Sequence, residues 1–291
     1  MKKISYYIEG LKTGRISLKN VLRSYKVKHR DKKFPRIKNP VVRTIYRTKM
    51  YLNPKDNVIS KYLYVYKCWE PQETEYFKKI ILEGMHVIDI GANIGYFSIL
   101  FSKWVGDKGK VFAFEPEPEN YSILVKNIQA NNCNNIIPIK KAVSNKEGTL
   151  ILFQSEENKG DHRIFDAEIL PEDKNRNKIE IESIKLDSFI LSEQKIDFIK
   201  MDIQGSEMLA LEGMMQILSR NHKMYLFTEF WPYAIERSGR SPKEYLEILR
   251  LLGFKISTLD KDEKIPTSSK DFDDEDFRSR QINLICEKNQ K

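Results

Sequence analysis

The stretch Asp89-Ile90-Gly91-Ala92-Asn93-Ile94-Gly95 follows a short apolar run, Met85–Ile90, and leads into a segment of helical character, Ile94–Val105. Gly91 and Gly95 lack a Cβ, so a ligand can approach the backbone closely there. The helix start beyond them offers N–H groups and a partial positive charge. Such a turn suits the carboxylate or phosphate end of a nucleotide-like molecule. Asp89 ends the strand and is expected to face the same crevice, as an acceptor for an ammonium group. Glu115 stands 20 residues after Gly95, at the end of the apolar run Lys110–Glu115. A carboxylate there accepts hydrogen bonds from the 2′- and 3′-hydroxyls of a ribose. The set predicts an adenosine-containing ligand at the carboxyl ends of the strands. The dinucleotide fingerprint G-x-G-x-x-G is not met, because Asn93 replaces its second glycine and Asp89 would repel a pyrophosphate. Asp89 suits the amino-acid end of S-adenosylmethionine (SAM) better, while spacing alone leaves NAD open.

A second group of residues offers proton chemistry. Asp202 ends the run Ile196–Ile203, Gly205 permits a tight turn, and Glu207 follows in the first turn of a helix. Glu229 ends the run Lys223–Phe230. The three acids are expected on one side of the crevice. Methylation of a hydroxyl requires its oxygen in line behind the transferred methyl, and a group to take its proton. Asp202 is the first candidate base, Glu229 the second and His162, in Gly160-Asp161-His162-Arg163, the third. Arg163 would bind an anionic substrate group. Trp231, Pro232 and Tyr233 would wall the substrate pocket. Asp202 and Glu229 alone are not a metal signature, and no metal site is expected.

These residues need strands and helices in alternation, and the chain supplies them. Apolar runs at Met85–Ile90, Lys110–Glu115, Asn135–Val143, Ile196–Ile203 and Lys223–Phe230 read as strands. Segments Pro71–Gly84, Pro116–Asn132, Ser206–Ser219 and Pro242–Leu252 read as helices, three with proline at the start and two with glycine as the stop. Gly148–Phe153 and Lys178–Leu186 are extended runs flanking a polar insert. The order predicts an α/β fold, a mostly parallel sheet with helices on both faces. Two closing strands with an acidic loop and no helix between them predict an antiparallel hairpin.

The chain has 291 residues, enough for a sizeable core, and a net charge of +9. Residues 1–61 hold 18 Lys or Arg against three acids, a net of +15, so the other 230 carry −6. Residues 1–49 read as a basic arm and linker, with a weak helical pattern over Ile8–Tyr25, and 50–291 as the enzyme domain. Three scattered cysteines and four histidines without HxxxH spacing exclude a disulfide scaffold and a zinc-protease site. No apolar stretch near the middle is long enough to span a bilayer, and the start lacks an apolar signal core. A cytoplasmic protein is expected.

The blocks VIDIGANIGYFSILFSK, VFAFEPEPENYSILVKNIQANN, KKAVSNKEG, KLDSF and IDFIKMDIQGSEMLALEG resemble those of the FkbM family of SAM-dependent methyltransferases, over about residues 50–230. The resemblance implies a Rossmann-like class I methyltransferase fold: seven strands in the order 3-2-1-4-5-7-6, strand 7 antiparallel. It implies SAM as cofactor, held by Asp89, Gly91, Asn93, Gly95, Glu115 and Ala142 of the KKAV block. It also implies methyl transfer, commonly to a hydroxyl of a sugar, glycolipid or small metabolite. The family usually has an acid where Gln204 stands. Two other readings compete. In one, the basic arm recruits RNA as the acceptor, although DIQG replaces the [DN]PP[YF] block of many N-methyltransferases. In the other, the chain is a non-catalytic nucleotide-binding module. The arm is also expected as a peripheral contact to anionic membrane at its inner face, nucleic acid being the weaker partner.

Overall fold

The computed structural model describes residues 31, 33, 34, 37–164, 176–260, 265, 266, 272 and 274–289. The basic arm up to residue 30, including the helix expected over Ile8–Tyr25, lies outside them, as does part of the polar insert.

The strands are β1 Val41–Arg43, β2 Lys49–Tyr51, β3 His86–Ile90, β4 Lys110–Phe114, β5 Ile136–Ile139, β6 Ala142–Val143, β7 Gly148–Gln154, β8 Asn177–Ile184, β9 Phe198–Met201, β10 Lys223–Phe230, β11 Lys255–Thr258 and β12 Ile282–Asn289. Seven form the main sheet in the order β11-β12-β10-β9-β3-β4-β5. From the β5 edge, numbered within that sheet, this is 3-2-1-4-5-7-6. β12 runs antiparallel to both neighbours, and the other pairings are parallel. The expected sheet order and closing hairpin are therefore present. One detail differs: the acidic connection contains a short helix, Glu275–Ser279, capped by Asp274, whose carboxylate accepts from Asp276 N at 3.0 Å.

Parallel strands covered on both faces need apolar residues throughout, and β9 is buried at every position. Alternation then feeds two cores. Ile88, Phe112, Ile199 and Leu226 point to one, and Val87, Val111, Phe198 and Phe227 to the other. In the second core the fully buried Phe77, on the helix Pro71–Ile80, has Phe97, Phe101, Phe198 and Phe227 around it, with ring centroids 4.6–5.5 Å away. That contact clamps the helix beneath β9 and β10, and its first turn reaches their carboxyl ends. Asn283, paired with Glu229 across β10 and β12, donates to Glu73 at 3.1 Å.

Three elements depart from the sequence reading. The third strand is cut after Ile139: β5 carries Pro138, which an edge strand tolerates, and β6 joins a separate sheet of order β6-β8-β7. The helix expected over Ser206–Ser219 is two helices, Glu207–Glu212 and Met215–Arg220, because Gly213 packs against backbone. A Cβ at Gly213 would lie 2.0 Å from the Ser144 carbonyl oxygen. Third, β1 and β2 form a hairpin that the boundary at residue 49 cuts. Asn127 holds it, accepting from Tyr51 N at 2.6 Å and donating to Tyr51 O at 3.0 Å.

Phe77→Ala is expected to lower unfolding free energy by about 3–5 kcal/mol, because it empties the centre of the second core. Urea unfolding checks this; an unchanged midpoint would show that the helix does not anchor there.

Candidate cofactor crevice and carboxylate cluster

The turn after β3 is built for close approach. Gly91 has φ +78°, and a Cβ there would meet the Asp202 carbonyl oxygen at 2.1 Å. Gly95, at φ +87°, opens the helix Tyr96–Val105, and its absent Cβ leaves room for Leu124. The amides of the turn are all used within the protein. Gly91 N and Ala92 N donate to Phe114 O at 3.0 and 2.9 Å. Asn93 N donates to Glu115 Oε2 at 2.7 Å, Ile94 N to Asn93 Oδ1 at 2.8 Å, and Gly95 N to Ala92 O at 2.8 Å. The anion cradle expected of this turn is thus already filled, which disfavours a pyrophosphate.

A crevice open to solvent lies over this turn at the carboxyl ends of β3, β4 and β9. Gly91, Asn93, Glu115 and Ala142 line it, as expected, together with Asp202 and His162. Gly95 does not line it and acts by starting the helix. Asp89 does not line it either, which corrects its expected role. Asp89 is fully buried, accepts from Ser98 Oγ at 2.5 Å, and lies 4.0 Å from Lys200 Nζ. Burial pushes its carboxyl up against the pull of Lys200 and Ser98. Its ammonium partner is a lysine of the chain.

Glu115 lies on the crevice wall at the end of β4. Oε2 takes Asn93 N–H and Oε1 takes Glu117 N–H at 3.0 Å, which fixes the carboxylate at the crevice wall. Each oxygen keeps acceptor capacity for a hydroxyl. Burial raises its pKa to about 8, against the two backbone donors.

A strap closes over the crevice. Phe153 and Arg163 exchange backbone hydrogen bonds of 2.8 and 3.1 Å, so residues 154–162 form a closed loop. The Lys159 carbonyl accepts from Asn93 Nδ2 at 2.8 Å and Asn120 Nδ2 at 2.9 Å. Lys159 N donates to Asp56 at 3.3 Å. In the strap His162 Nδ1 accepts from Ser155 N at 3.0 Å, so the ring's proton is on Nε2. Burial, then Lys159 and Arg176, lower its pKa to about 3. His162 is therefore a neutral donor, and its expected role as a base is corrected. Arg163 is buried, pairs with Asp161 at 2.8 Å and lies over the Trp231 ring at 5.1 Å. It stiffens the strap base and is already paired with an anion.

The expected convergence of acids is present. Gln204 Nε2 donates to Asp202 Oδ1 at 2.9 Å and to Glu229 Oε2 at 3.0 Å. Glu207 is fully buried and accepts from Ile203 N at 3.1 Å. Lys200 Nζ lies 3.5 Å from Asp202 Oδ2. Of these acids Asp202 alone lines the crevice; Glu229 joins it through Gln204. Burial, then the Asp202 charge, raise Glu70 to about 8 and push Glu229 well above the ordinary range. Burial raises Glu207 to about 7.

Sequence reasoning missed Glu70, which ends the loop before Pro71 with φ +39°. It also missed Asn120 and the strap's Lys159. Asn120 had a readable signal, the first turn of a helix five residues after Glu115. Glu70 had none, because only the Phe77 anchor brings it to the cluster.

The crevice fits SAM. It has an apolar wall of Ile90, Phe114, Val143 and Leu152, a fixed carboxyl group in Glu115, and a second one, Asp202, at another edge. Gly91 leaves room for close contact, and Asn120 has a buried Oδ1 with no partner among the described residues.

Comparison with known proteins agrees. A chain region matches the model of the methyltransferase FkbM domain over residues 89–256. A second model, protein-L-isoaspartate(D-aspartate) O-methyltransferase, matches residues 18–145. The chain is 28% identical over 160 residues to Methyltransferase sdnD of Sordaria araneosa, covering 44% of this chain and 59% of that one. It is 26% identical over 180 residues to Hexuronic acid methyltransferase AglP of Haloferax volcanii, covering 60% of this chain and 66% of that one. The matches thus span less than two thirds of either relative. Among solved structures, a SAM-dependent O-methyltransferase of Thermotoga maritima aligns with a TM-score of 0.45 at 12% identity, covering 87% of this chain and 78% of that one. With the FkbM domain model spanning more than half of its length, over the glycine turn, Glu115 and the Asp202 strand, this chain belongs to the FkbM methyltransferase family.

Proposed function

We propose that the protein is a SAM-dependent O-methyltransferase acting on a hydroxyl of a sugar, glycolipid or small metabolite. One observation carries the reading: Asp202 lines the cofactor crevice while Gln204 ties it to Glu229. When bound, SAM supplies an electrophilic methyl group. Glu115 would hold its ribose, and Ala142 with the apolar wall its adenine. Asp202 is the base, because it is part-exposed and, of the clustered acids, the one that lines the crevice. An acceptor hydroxyl donates to Asp202, which takes the proton as the oxygen attacks. Gln204 fixes the carboxylate's orientation, and Glu229 holds Gln204. The relative named for hexuronic acid supports a sugar acceptor. The described residues contain no helix long and apolar enough to cross a membrane. The net charge of +15 over residues 1–61 supports peripheral contact with an anionic membrane.

Calorimetry should show SAM binding that Glu115→Ala weakens. Because the Glu115 carboxyl ionises only near pH 8, affinity should rise from pH 6.5 to 9 in the wild type and stay flat in Glu115→Gln. A flat wild-type profile would remove the carboxylate from the ribose site. Asp202→Asn should reduce turnover by about 10²–10⁴-fold with little change in SAM affinity. Equal turnover would exclude Asp202 as base. With labelled SAM and fractionated cell extract, methyl label should appear in the glycan, glycolipid or small-metabolite fraction. Label confined to RNA would favour recruitment by the basic segment, and no label in any fraction would favour a binding module.

A further inference from the structure

We propose that Asn120 is a second ribose-binding residue and that it couples cofactor binding to the strap. The inference rests on the SAM reading of the crevice. Asn120 is 1% exposed and lines the crevice on the first turn of the helix Pro118–Ala130. Its backbone is fixed, since Asn120 N donates to the N-cap side chain of Glu117 at 2.6 Å. Its amide is half used. Nδ2 donates to the Lys159 carbonyl at 2.9 Å, while the buried Oδ1 has no hydrogen-bond partner among the described residues. A buried amide oxygen without a donor is unfavourable, and the side chain cannot flip without losing its bond to the strap.

The missing partner is an O–H donor from the ligand. Glu115 stands on the same network, because Asn93 binds Glu115 through its N–H and the Lys159 carbonyl through its side chain. Asn93 and Asn120 thus flank the Lys159 carbonyl, Glu115 holds Asn93 through its backbone, and a ribose presents two adjacent hydroxyls. Glu115 takes one and Asn120 Oδ1 the other. Because the Asn120 amide also holds Lys159, a hydroxyl that fixes its orientation tightens the strap over the cofactor.

S-adenosylhomocysteine (SAH), its 2′-deoxy and 3′-deoxy forms, and the full chain serve as probes. Asn120→Ala should lower SAH affinity about tenfold, the scale of one hydrogen bond to a buried group. One deoxy analogue should bind the wild type more weakly than SAH does, with that difference lost in Asn120→Ala. On SAH binding, amide exchange over residues 157–161 should slow in the wild type and not in Asn120→Ala. Asn120→Asp, which keeps an acceptor oxygen but loses the donor to Lys159, should retain most of the affinity and lose the strap protection. A folded Asn120→Ala that binds SAH within twofold of wild type overturns the proposal while leaving the SAM reading intact. Asn120→Asp binding as weakly as Asn120→Ala also overturns it, because the side chain would then act only through the strap. Absence of SAH binding to the wild type would sink the SAM reading and this inference with it.

Discussion

Lys200 sets the terms for the whole site. Its side chain is 4% exposed, and its ammonium lies 4.0 Å from Asp89 and 3.5 Å from Asp202. Burial alone would pull its pKa down, but Asp202, Asp89 and Glu70 together hold it above an ordinary lysine. A buried cation survives only when paired, and a cluster of buried carboxylates survives only when most of its members are neutral or paired. Here one ammonium faces Asp89, Asp202, Glu70 and Glu229, with Glu207 behind them. Charge balance therefore distributes protons. Glu70, Glu207 and Glu229 are pushed up by burial and by the Asp202 charge. Asp202 lies beside both the ammonium and the crevice.

The same lysine ties chemistry to fold. In the pairing of β3 with β9, Asp89 stands opposite Lys200. Slipping either strand by one residue would send the charge into the apolar core on the other face. The pairing that brings Asp202 beside the Gly91 turn is thus also the one that satisfies the buried pair. Gly91 enforces it from the other side, since any Cβ there would collide with the Asp202 carbonyl.

Much of this was legible in the sequence, because its signals are local. Alternating apolar runs, prolines at helix starts and glycine turns gave the alternation of strands and helices and the places of Gly91, Glu115 and Asp202, while the strand order came with the resemblance to the FkbM family. What escaped depends on contacts between distant segments. Asp89 looked like a ligand because nothing near it in sequence shows that a lysine 111 residues later is its partner. His162 looked like a base because the donor that fixes its tautomer is a backbone N–H of the strap. The break at Gly213 reflects a carbonyl from the segment after β6, not a weak helix pattern. The hairpin of β1 and β2 was missed because its residues are basic and short-stranded, and Asn127 and Asn131 hold it through side chains.

Gln204 shows how a departure from the family pattern fits this charge balance. A further acid at that position would join Asp202 and Glu229 within hydrogen-bond distance of both, against a single ammonium. It would have to be protonated, or force a neighbour to be. The amide avoids that by donating to both carboxylates from one nitrogen. It occupies φ +54°, a backbone conformation that a non-glycine residue adopts at some cost, which its two hydrogen bonds help to offset. With an acid in place of the amide, the cluster would hold one more titrating group against the same single ammonium. Glutamine links Asp202 to Glu229 without adding to the carboxyl groups that must share it.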